Sequence, residues 1–346
     1  MFLRNSWYVF GWAHELQEAD GILGRVMLEE PVVVWRDKEG ALHAMEDRCP
    51  HRRAPLSKGR VEGTAIRCMY HGMLFSSGGT CLQVPGMDNP PARCVRTYPV
   101  LEKDAWLWIW MGDKEKADAA LIPNAFGFAP DRPMCTGHMD YDAHYQLIHD
   151  NLCDLSHVDF VHATTLRPIS GAYWSETAPR ITSADRGIRL ERWFESADSP
   201  DGSAVVDTWN SYEFAVPGVF IMRSGRFPPG TAAKCNYAAP TGVIPINETV
   251  EQQAVTPISD RRTAYFFGTA VVGDNAPLTP DVNRRIEVVK AAFTEDREMI
   301  EAQQRIWDLT PAGDEMLFLP QDKGPFLMRK LLARLIASEA AASAAS

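Results

Sequence analysis

Residues 47–53 read DRCPHRR, and residues 67–72 read RCMYHG. Each stretch sets a histidine close behind a cysteine: Cys49 with His51 and, after sixteen intervening residues, Cys68 with His71. Both side-chain types ligate soft or borderline metals. Each pair fits one tight loop, and a hairpin between them would bring the two loops around one centre. Two cysteines and two histidines suit a structural zinc. They also suit a [2Fe–2S] cluster with two thiolates on one iron and two imidazoles on the other. Zinc fingers usually pair Cys with Cys and His with His, whereas here each loop supplies one of each. That mixing is what a two-iron cluster needs, because each loop then delivers one ligand to each iron. Gly72, and Gly78–Gly79 on the next turn, allow the backbone close to such a cluster.

Around these loops the chain reads as short strands separated by turn residues. RVMLEEPVVVWRDKEGALHAMED (25–47) predicts two strands about a turn at Lys38–Gly40. TAIRCMYHGMLFSSGGTCLQVPG (64–86) predicts a hairpin turning at Ser77–Gly79, and AWLWIWMG (105–112) a buried closing strand. Residues 113–134 are charged and then proline-rich, which predicts a domain boundary there, with domains at 1–115 and 116–346. Residues 142–163 turn helical, 185–272 return to strands, and 280–307 form a long amphipathic helix. The tail ASEAAASAAS is low-complexity and is expected to fray. The fold class expected is α+β: an antiparallel β domain, then a larger domain with a central antiparallel sheet flanked by helices.

The 346 residues carry a net charge of −10, which argues against nucleic acid as the main partner. No apolar run reaches the roughly 18 residues of a membrane span, and the first residues lack the order of a secretory signal. Seven scattered cysteines without an export signal are expected to be reduced, in the cytoplasm. Cys81, Cys94, Cys135, Cys153 and Cys235 show no C-x-x-C pairing and read as buried thiols.

A second motif lies at 150–162, DNLCDLSHVDFVH. His157 and His162 are five apart. With a carboxylate they would form the two-histidine, one-carboxylate face of a non-haem iron site. In an ideal helix five residues turn about 500°, so the two rings would diverge by some 140°. They can share a metal only if the helix is distorted or ends between 157 and 162.

Together, CPH…CMYH and DNLCDLSHVDFVH resemble the oxygenase component of Rieske non-haem iron oxygenases. The resemblance covers nearly the whole chain. RNSWYV, DRCPHRRAPLS, RCMYHGMLF, YPVLEKDAWLWIWMGD and FTEDREMIEAQQR are similar to the branch containing vanillate O-demethylase, dicamba O-demethylase and toluenesulfonate methyl-monooxygenase. The resemblance implies a Rieske [2Fe–2S] cluster on Cys49, His51, Cys68 and His71. It implies a mononuclear Fe(II) on His157, His162 and Asp296, although nothing local separates Asp296 from Glu295 or Glu298. It places Asn151 near that iron and makes Asp154 the carboxylate linking the two metal centres, bonding a ligand histidine at each. Cys153 departs from the methionine or leucine expected at that position.

The function so implied is hydroxylation of a methyl group of a small aromatic acid with O2 as co-substrate. O-demethylation of a vanillate-like methoxy-aromatic, releasing formaldehyde, is the expected form. Methyl-arene hydroxylation, N-demethylation, and a Rieske electron carrier without O2 chemistry are the alternatives. No G-x-G-x-x-G opens a strand–turn–helix, so NAD(P)H is expected to act only through a separate reductase or ferredoxin. A head-to-tail homotrimer is implied, with the cluster of one subunit serving the iron of the next. Arg48, Arg52, Arg53, Lys58, Arg60 and Arg67, against Asp47 and Glu62, suggest a docking patch for an acidic reductase. Phe214, Phe220, Met222, Asn236 and Gln253 are candidate pocket lining, and Arg167, Arg223 or Arg226 candidate donors to an acidic substrate.

Overall fold

The structure, a computed structural model, describes all residues except 126–133, 167–171, 200, 201, 203, 273–279, 312 and 346. Two compact units emerge: residues 1–122 with 256–259, and residues 123–255 with 260–346.

The first unit holds three small sheets. In one, Trp7–Trp12 pairs antiparallel with Trp106–Trp110, which pairs with Val100–Lys103. Both tryptophan-rich strands are buried along their whole length, as a run of large apolar residues requires. The second sheet has three strands where two are expected: Ile22–Met27, Glu30–Arg36 and Leu42–Glu46. The extra turn is at Leu28 and Glu29, both with positive φ (50° and 66°). A two-residue hairpin needs that backbone, and its usual sequence mark is Asn-Gly or Asp-Gly. Leucine and glutamate hide it. The third sheet is Arg60–Glu62, Ala65–Arg67, Leu74–Phe75 and Cys81–Gln83; the Cys68–His71 loop joins its second and third strands, and the Cys49–His51 loop lies between Leu42–Glu46 of the second sheet and Arg60–Glu62 of the third.

The second unit is organised by a seven-stranded sheet in the order Cys135–Tyr141, Arg262–Val272, Asn247–Ser259, Val219–Phe227, Val205–Ala215, Gly187–Asp198 and Arg180–Ala184. Long helices Pro280–Leu309 and Lys323–Ala345 pack on it, with the short helix Tyr145–Cys153. The expected central antiparallel sheet with flanking helices is therefore present. The C-terminal tail is a correction: residues 337–345 continue a helix rather than fraying. Alanine has the highest intrinsic helix propensity, so a low-complexity alanine run extends a helix already anchored by packing. Among the described residues no helix is long and apolar enough to cross a membrane.

Candidate metal centres

The two loops of the first unit are built alike. In one, Cys49 N donates to the Ala54 carbonyl (2.9 Å) and Arg53 N donates back to the Cys49 carbonyl (2.8 Å). In the other, Cys68 N donates to the Met73 carbonyl (2.8 Å) and Gly72 N to the Cys68 carbonyl (2.9 Å). The fourth residue after each cysteine is left-handed: Arg53 at φ 59° and Gly72 at φ 79°. Only glycine fits the second place, because a Cβ on Gly72 would stand 2.7 Å from Pro85 Cγ. Gly79 serves a different purpose from the one expected. Its missing side chain admits the Val95 carbonyl to the hairpin turn.

The loops segregate their ligands. Cys49 and Cys68 are each 2% exposed and sit in the core with Trp35, Met73 and Phe75. His51 and His71 are exposed, with ring centroids 4.6 Å apart. Burial pushes the Cys49 thiol up to about 11, and Cys68 beside it adds to the rise. Thiols in such a place ionise at neutral pH only when a metal takes the charge. A buried sulfur end and a solvent-facing imidazole end match a cluster with one iron in each. A single zinc ion has no need of that division.

The candidate basic patch is smaller than the sequence suggests. Arg48 pairs with Glu46, and Arg60 and Arg67 pair with Glu62. Arg67 and then Arg60 hold the Glu62 carboxyl down to about 2. Asp47 is occupied by the Ser57 amide and hydroxyl. Arg52, Arg53 and Lys58 remain exposed, without an ion pair among the described residues.

The second centre lies in the larger unit. The helix Tyr145–Cys153 ends at Asp154, a 3-10 turn runs Leu155–His157, and one helical turn Val158–Val161 follows. His162 caps that turn at φ −100°, ψ 21°. The expected break is there, and it lets residues five apart converge. The His157 and His162 rings are 5.4 Å apart. One ligand atom from each of His157, His162 and Asp296 lies within 4.8 Å of the others. Asp296 Oδ1 is 3.5 Å from His157 Nε2 and 3.3 Å from His162 Nε2. The Asn151 amide nitrogen reaches both Asp296 Oδ1 (3.1 Å) and His157 Nε2 (3.4 Å).

Hydrogen bonds to the far nitrogens set both tautomers. His157 Nδ1 donates to the Asp154 carbonyl at 2.7 Å. His162 Nδ1 donates to Glu295 Oε2 at 2.8 Å. Neither acceptor carries a proton to give, so each Nε2 keeps its lone pair toward Asp296. Burial lowers the pKa of His157. Burial also opposes charge on His162, but Asp296 and Glu295 outweigh it and raise its pKa.

Two details separate this site from the sequence reading. The Asp154 carboxylate does not reach the ligand histidine; its backbone carbonyl does, while Oδ1 accepts from Ser156 N at 2.9 Å. A carboxylate at a helix break caps the next turn's free N–H groups, so the main chain is left to orient the ring. Glu295, one residue from Asp296, takes a different place. It stands behind His162, held also by Thr164 and Thr165. The signal for Asp296 was helical phase: Ala292, Asp296, Ile300 and Gln304 form a buried stripe at four-residue spacing. Asp296 is 3% exposed and has no Lys or Arg partner among the described residues. A buried carboxylate in that state calls for a metal. The nitrogen and oxygen donor set fits Fe(II) and leaves coordination positions for other molecules.

A cavity of 530 Å³ opens beside Asn151, Asp154 and His157, lined by Met299, Trp307, Phe318 and Phe326. Its arginine, Arg329, is already paired with Asp150. The candidate lining residues lie elsewhere in this unit. Phe214 and Phe220 pack on His149 and on each other. Met222 and Gln253 lie on the sheet, and Asn236 occupies a left-handed turn after Thr231–Lys234. Arg223 pairs with Glu248, Arg226 donates to Asn247 on the surface, and Arg167 lies outside the described residues. Cys94 is exposed and Cys135 and Cys235 are partly so, leaving Cys81 and Cys153 as the buried thiols outside the loops.

Comparison with known proteins agrees with this geometry. Residues 6–99 match the Rieske [2Fe-2S] domain, and residues 141–338 match the vanillate O-demethylase oxygenase C-terminal domain. The chain is 36% identical to the iron-sulfur subunit of a toluene-4-sulfonate monooxygenase system of Comamonas testosteroni, over 98% of both chains. It is 32% identical to the vanillate O-demethylase oxygenase subunit of a Pseudomonas species (strain HR199), over 100% of this chain and 98% of that one. The crystal structure of dicamba monooxygenase bound to dicamba superposes with a TM-score of 0.83 at 27% identity, covering 98% of this chain and 99% of that one. With a [2Fe–2S] domain and a non-haem iron site on one polypeptide, the chain belongs to the Rieske non-haem iron oxygenases, in the group of the vanillate, dicamba and toluenesulfonate enzymes.

Proposed function

We propose that this chain is the terminal oxygenase of a multi-component system and removes the methyl group of a methoxy-aromatic acid. One observation carries the reading: His157, His162 and Asp296 converge within 4.8 Å on a chain that also bears the paired cysteine–histidine loops. A cluster that passes single electrons has a use here only if the second metal is redox-active, which favours iron over zinc. Cys49, His51, Cys68 and His71 would hold the cluster, and His157, His162 and Asp296 the iron. When bound, the two groups supply single electrons and a site for O2. The protein's part is placement. The Asp154 carbonyl and Glu295 aim the two imidazoles, and the Asn151 amide holds the Asp296 carboxylate. Hydroxylation of a methoxy carbon consumes O2, two electrons and two protons. It gives water and a hemiacetal that collapses to a phenol and formaldehyde without a further catalytic group.

The electrons come from a separate reductase, for which Arg52, Arg53 and Lys58 beside the cluster loops form a docking surface. We propose a homotrimer in which the cluster of a second copy approaches Asp154. Supporting this, the groove beside Asp154 is rimmed by Met316, Leu317 and Phe318, 68%, 83% and 60% exposed. Apolar side chains so exposed mark an interaction surface. A second reading, hydroxylation of an aryl methyl group, is favoured by the 36% identity to the toluenesulfonate enzyme. Single-turnover assays separate the two. Protein reduced with dithionite and mixed with O2 should convert 4-methoxybenzoate to the phenol with one formaldehyde each. A benzylic alcohol from toluene-4-sulfonate, with no turnover of the methoxy acid, would establish the second reading.

A further inference from the structure

Arg192 is a charged side chain in a place that ordinarily excludes charge. It is 5% exposed, on the strand Gly187–Asp198, sharing a face with Leu190 and Phe194, which are 1% and 3% exposed. A guanidinium stays protonated in any protein environment. Its Nη1 donates to the Trp174 carbonyl (2.9 Å) and its Nη2 to the Tyr212 hydroxyl (2.9 Å). Its buried Nε has no hydrogen-bond partner among the described residues. Among the described residues its two acceptors are thus neutral oxygens, and no carboxylate forms an ion pair with it. Burying a cation so poorly matched is costly, and native proteins tolerate it where a counter-charge arrives.

Both acceptors lead to the iron-ligand turn. Next to Trp174, Ser175 gives its amide and hydroxyl to Asp159 Oδ2 (both 2.7 Å), and Asp159 lies between His157 and His162. On the other side, Asp154 and Cys153 are near enough to act on the Tyr212 hydroxyl, which burial chiefly pushes up to about 12. Leu190, two residues before Arg192, and the Cys153 carbonyl both close on Gly324, within 3.0 Å of where its Cβ would stand. The guanidinium also lies 4.8 Å from the Trp174 ring centroid and 5.8 Å from that of Tyr212. A cation flanked by two rings, linked through Trp174 and Ser175 to the turn that bears His157 and His162, is suited to an aromatic anion.

We propose that Arg192 is the residue that receives the carboxylate or sulfonate of the aromatic substrate and so determines which end of the ring faces the metal. The planar N–H fork matches two oxygens of such a group, and the free Nε–H is one tine of it. This assignment rests on the reading of the substrate as an aromatic acid, but not on which methyl group reacts.

The test is equilibrium binding to the holoenzyme, followed by tryptophan fluorescence or calorimetry. The probes are 4-methoxybenzoate, its neutral amide 4-methoxybenzamide, and toluene-4-sulfonate. Wild-type protein should bind one or both anions at least tenfold more tightly than the amide, and which anion wins identifies the oxyanion. Arg192→Gln should weaken the preferred anion by about 30-fold or more, the effect of removing one partner of a buried charge pair. Its amide affinity should stay within about threefold, on the premise that the lost interaction is with the anion alone. Arg192→Lys should recover part of the loss. Cluster absorbance and iron content should be unchanged in both variants. If Arg192→Gln does not fold, the wild-type preference and Arg192→Lys decide. No preference for anion over amide in the wild type, or an equal loss on anion and amide in either variant, overturns the proposal. Failure of O-demethylation alone would instead appear as tight binding of 4-methoxybenzoate without formaldehyde release.

Discussion

Glu295 offers the most direct test of how the iron site is held. Its Oε2 accepts from His162 Nδ1 at 2.8 Å, while Asp296 faces the other nitrogen of the same ring. Its pKa is lowered: burial works to raise it, but the bonds from Thr165 and His162 outweigh that. A hydrogen bond to a charged group contributes about 1.5–3 kcal/mol, and a neutral one about 0.5–1.5. Glu295→Gln keeps an acceptor in place and loses the charge, so it should cost about 1 kcal/mol, or roughly fivefold in iron affinity. Glu295→Ala loses both and frees the ring to rotate. It should fall in the 10–100-fold range seen when such supporting partners are removed. The Glu295 side chain is 28% exposed, so solvent screening keeps the expectation near the lower end. Iron occupancy against a graded chelator, read by elemental analysis, measures the affinity. Absorbance of the [2Fe–2S] cluster, held by the other unit, reports independently that the protein is folded. The graded order wild type, Gln, Ala is the expected result. If both variants retain iron as the wild type does, His162 is oriented by something other than Glu295 and the reasoning fails.

Cys68→Ser should bleach the cluster, whereas His157→Ala should leave the colour and remove only the mononuclear iron; a colourless wild type holding only zinc would refute both assignments. Asp154→Asn should keep both metals, because the carbonyl that orients His157 survives, and slow electron transfer between centres by orders of magnitude; near-normal turnover would exclude a bridging carboxylate. His149 is fully buried against Tyr145, Phe214 and Phe220 with neither ring nitrogen hydrogen-bonded among the described residues, and burial lowers its pKa to about 3. An unfolded histidine titrates near 6.5, so this contribution to stability is complete above about pH 6.5 and is lost as pH falls from there toward 3. Denaturation of His149→Leu should therefore show a flatter acid limb than wild type, and identical limbs would contradict the burial argument. Reductase-driven turnover should fall between roughly 0.02 and 0.3 M salt as screening tightens. Arg52→Glu should raise the KM for the reductase alone; indifference to both would place the docking surface elsewhere.

Much of this protein is readable because its chemistry is concentrated in local loops. Cys49 with His51 and Cys68 with His71 lie on short segments whose backbone closes on itself, so spacing alone carries the geometry. The same holds for His157 and His162, where a five-residue separation already required the break now found at Asp154 and the 3-10 turn. The alternation of strands and the long helix at Pro280–Leu309 follow from periodicity, which is also local. Tertiary structure decided what depends on packing between segments distant in sequence. Asp296 and Glu295 are adjacent carboxylates, 133 or more residues beyond His162. Only the side of the helix turned toward His157 and His162 sets one carboxylate between the two imidazoles and the other behind His162. The Asp154 carbonyl, rather than its carboxylate, holds His157, because the side chain was needed to cap the next turn. Half of the basic residues near the cluster vanish as charge once Glu46 and Glu62 fold against them. Arg192, in the unremarkable stretch RLERWF, becomes conspicuous only when the sheet closes over it and leaves it, among the described residues, without a carboxylate partner. A sequence specifies which groups are present and their local spacing, but the pairing of charges is a property of neighbours in space, and those are chosen by the fold.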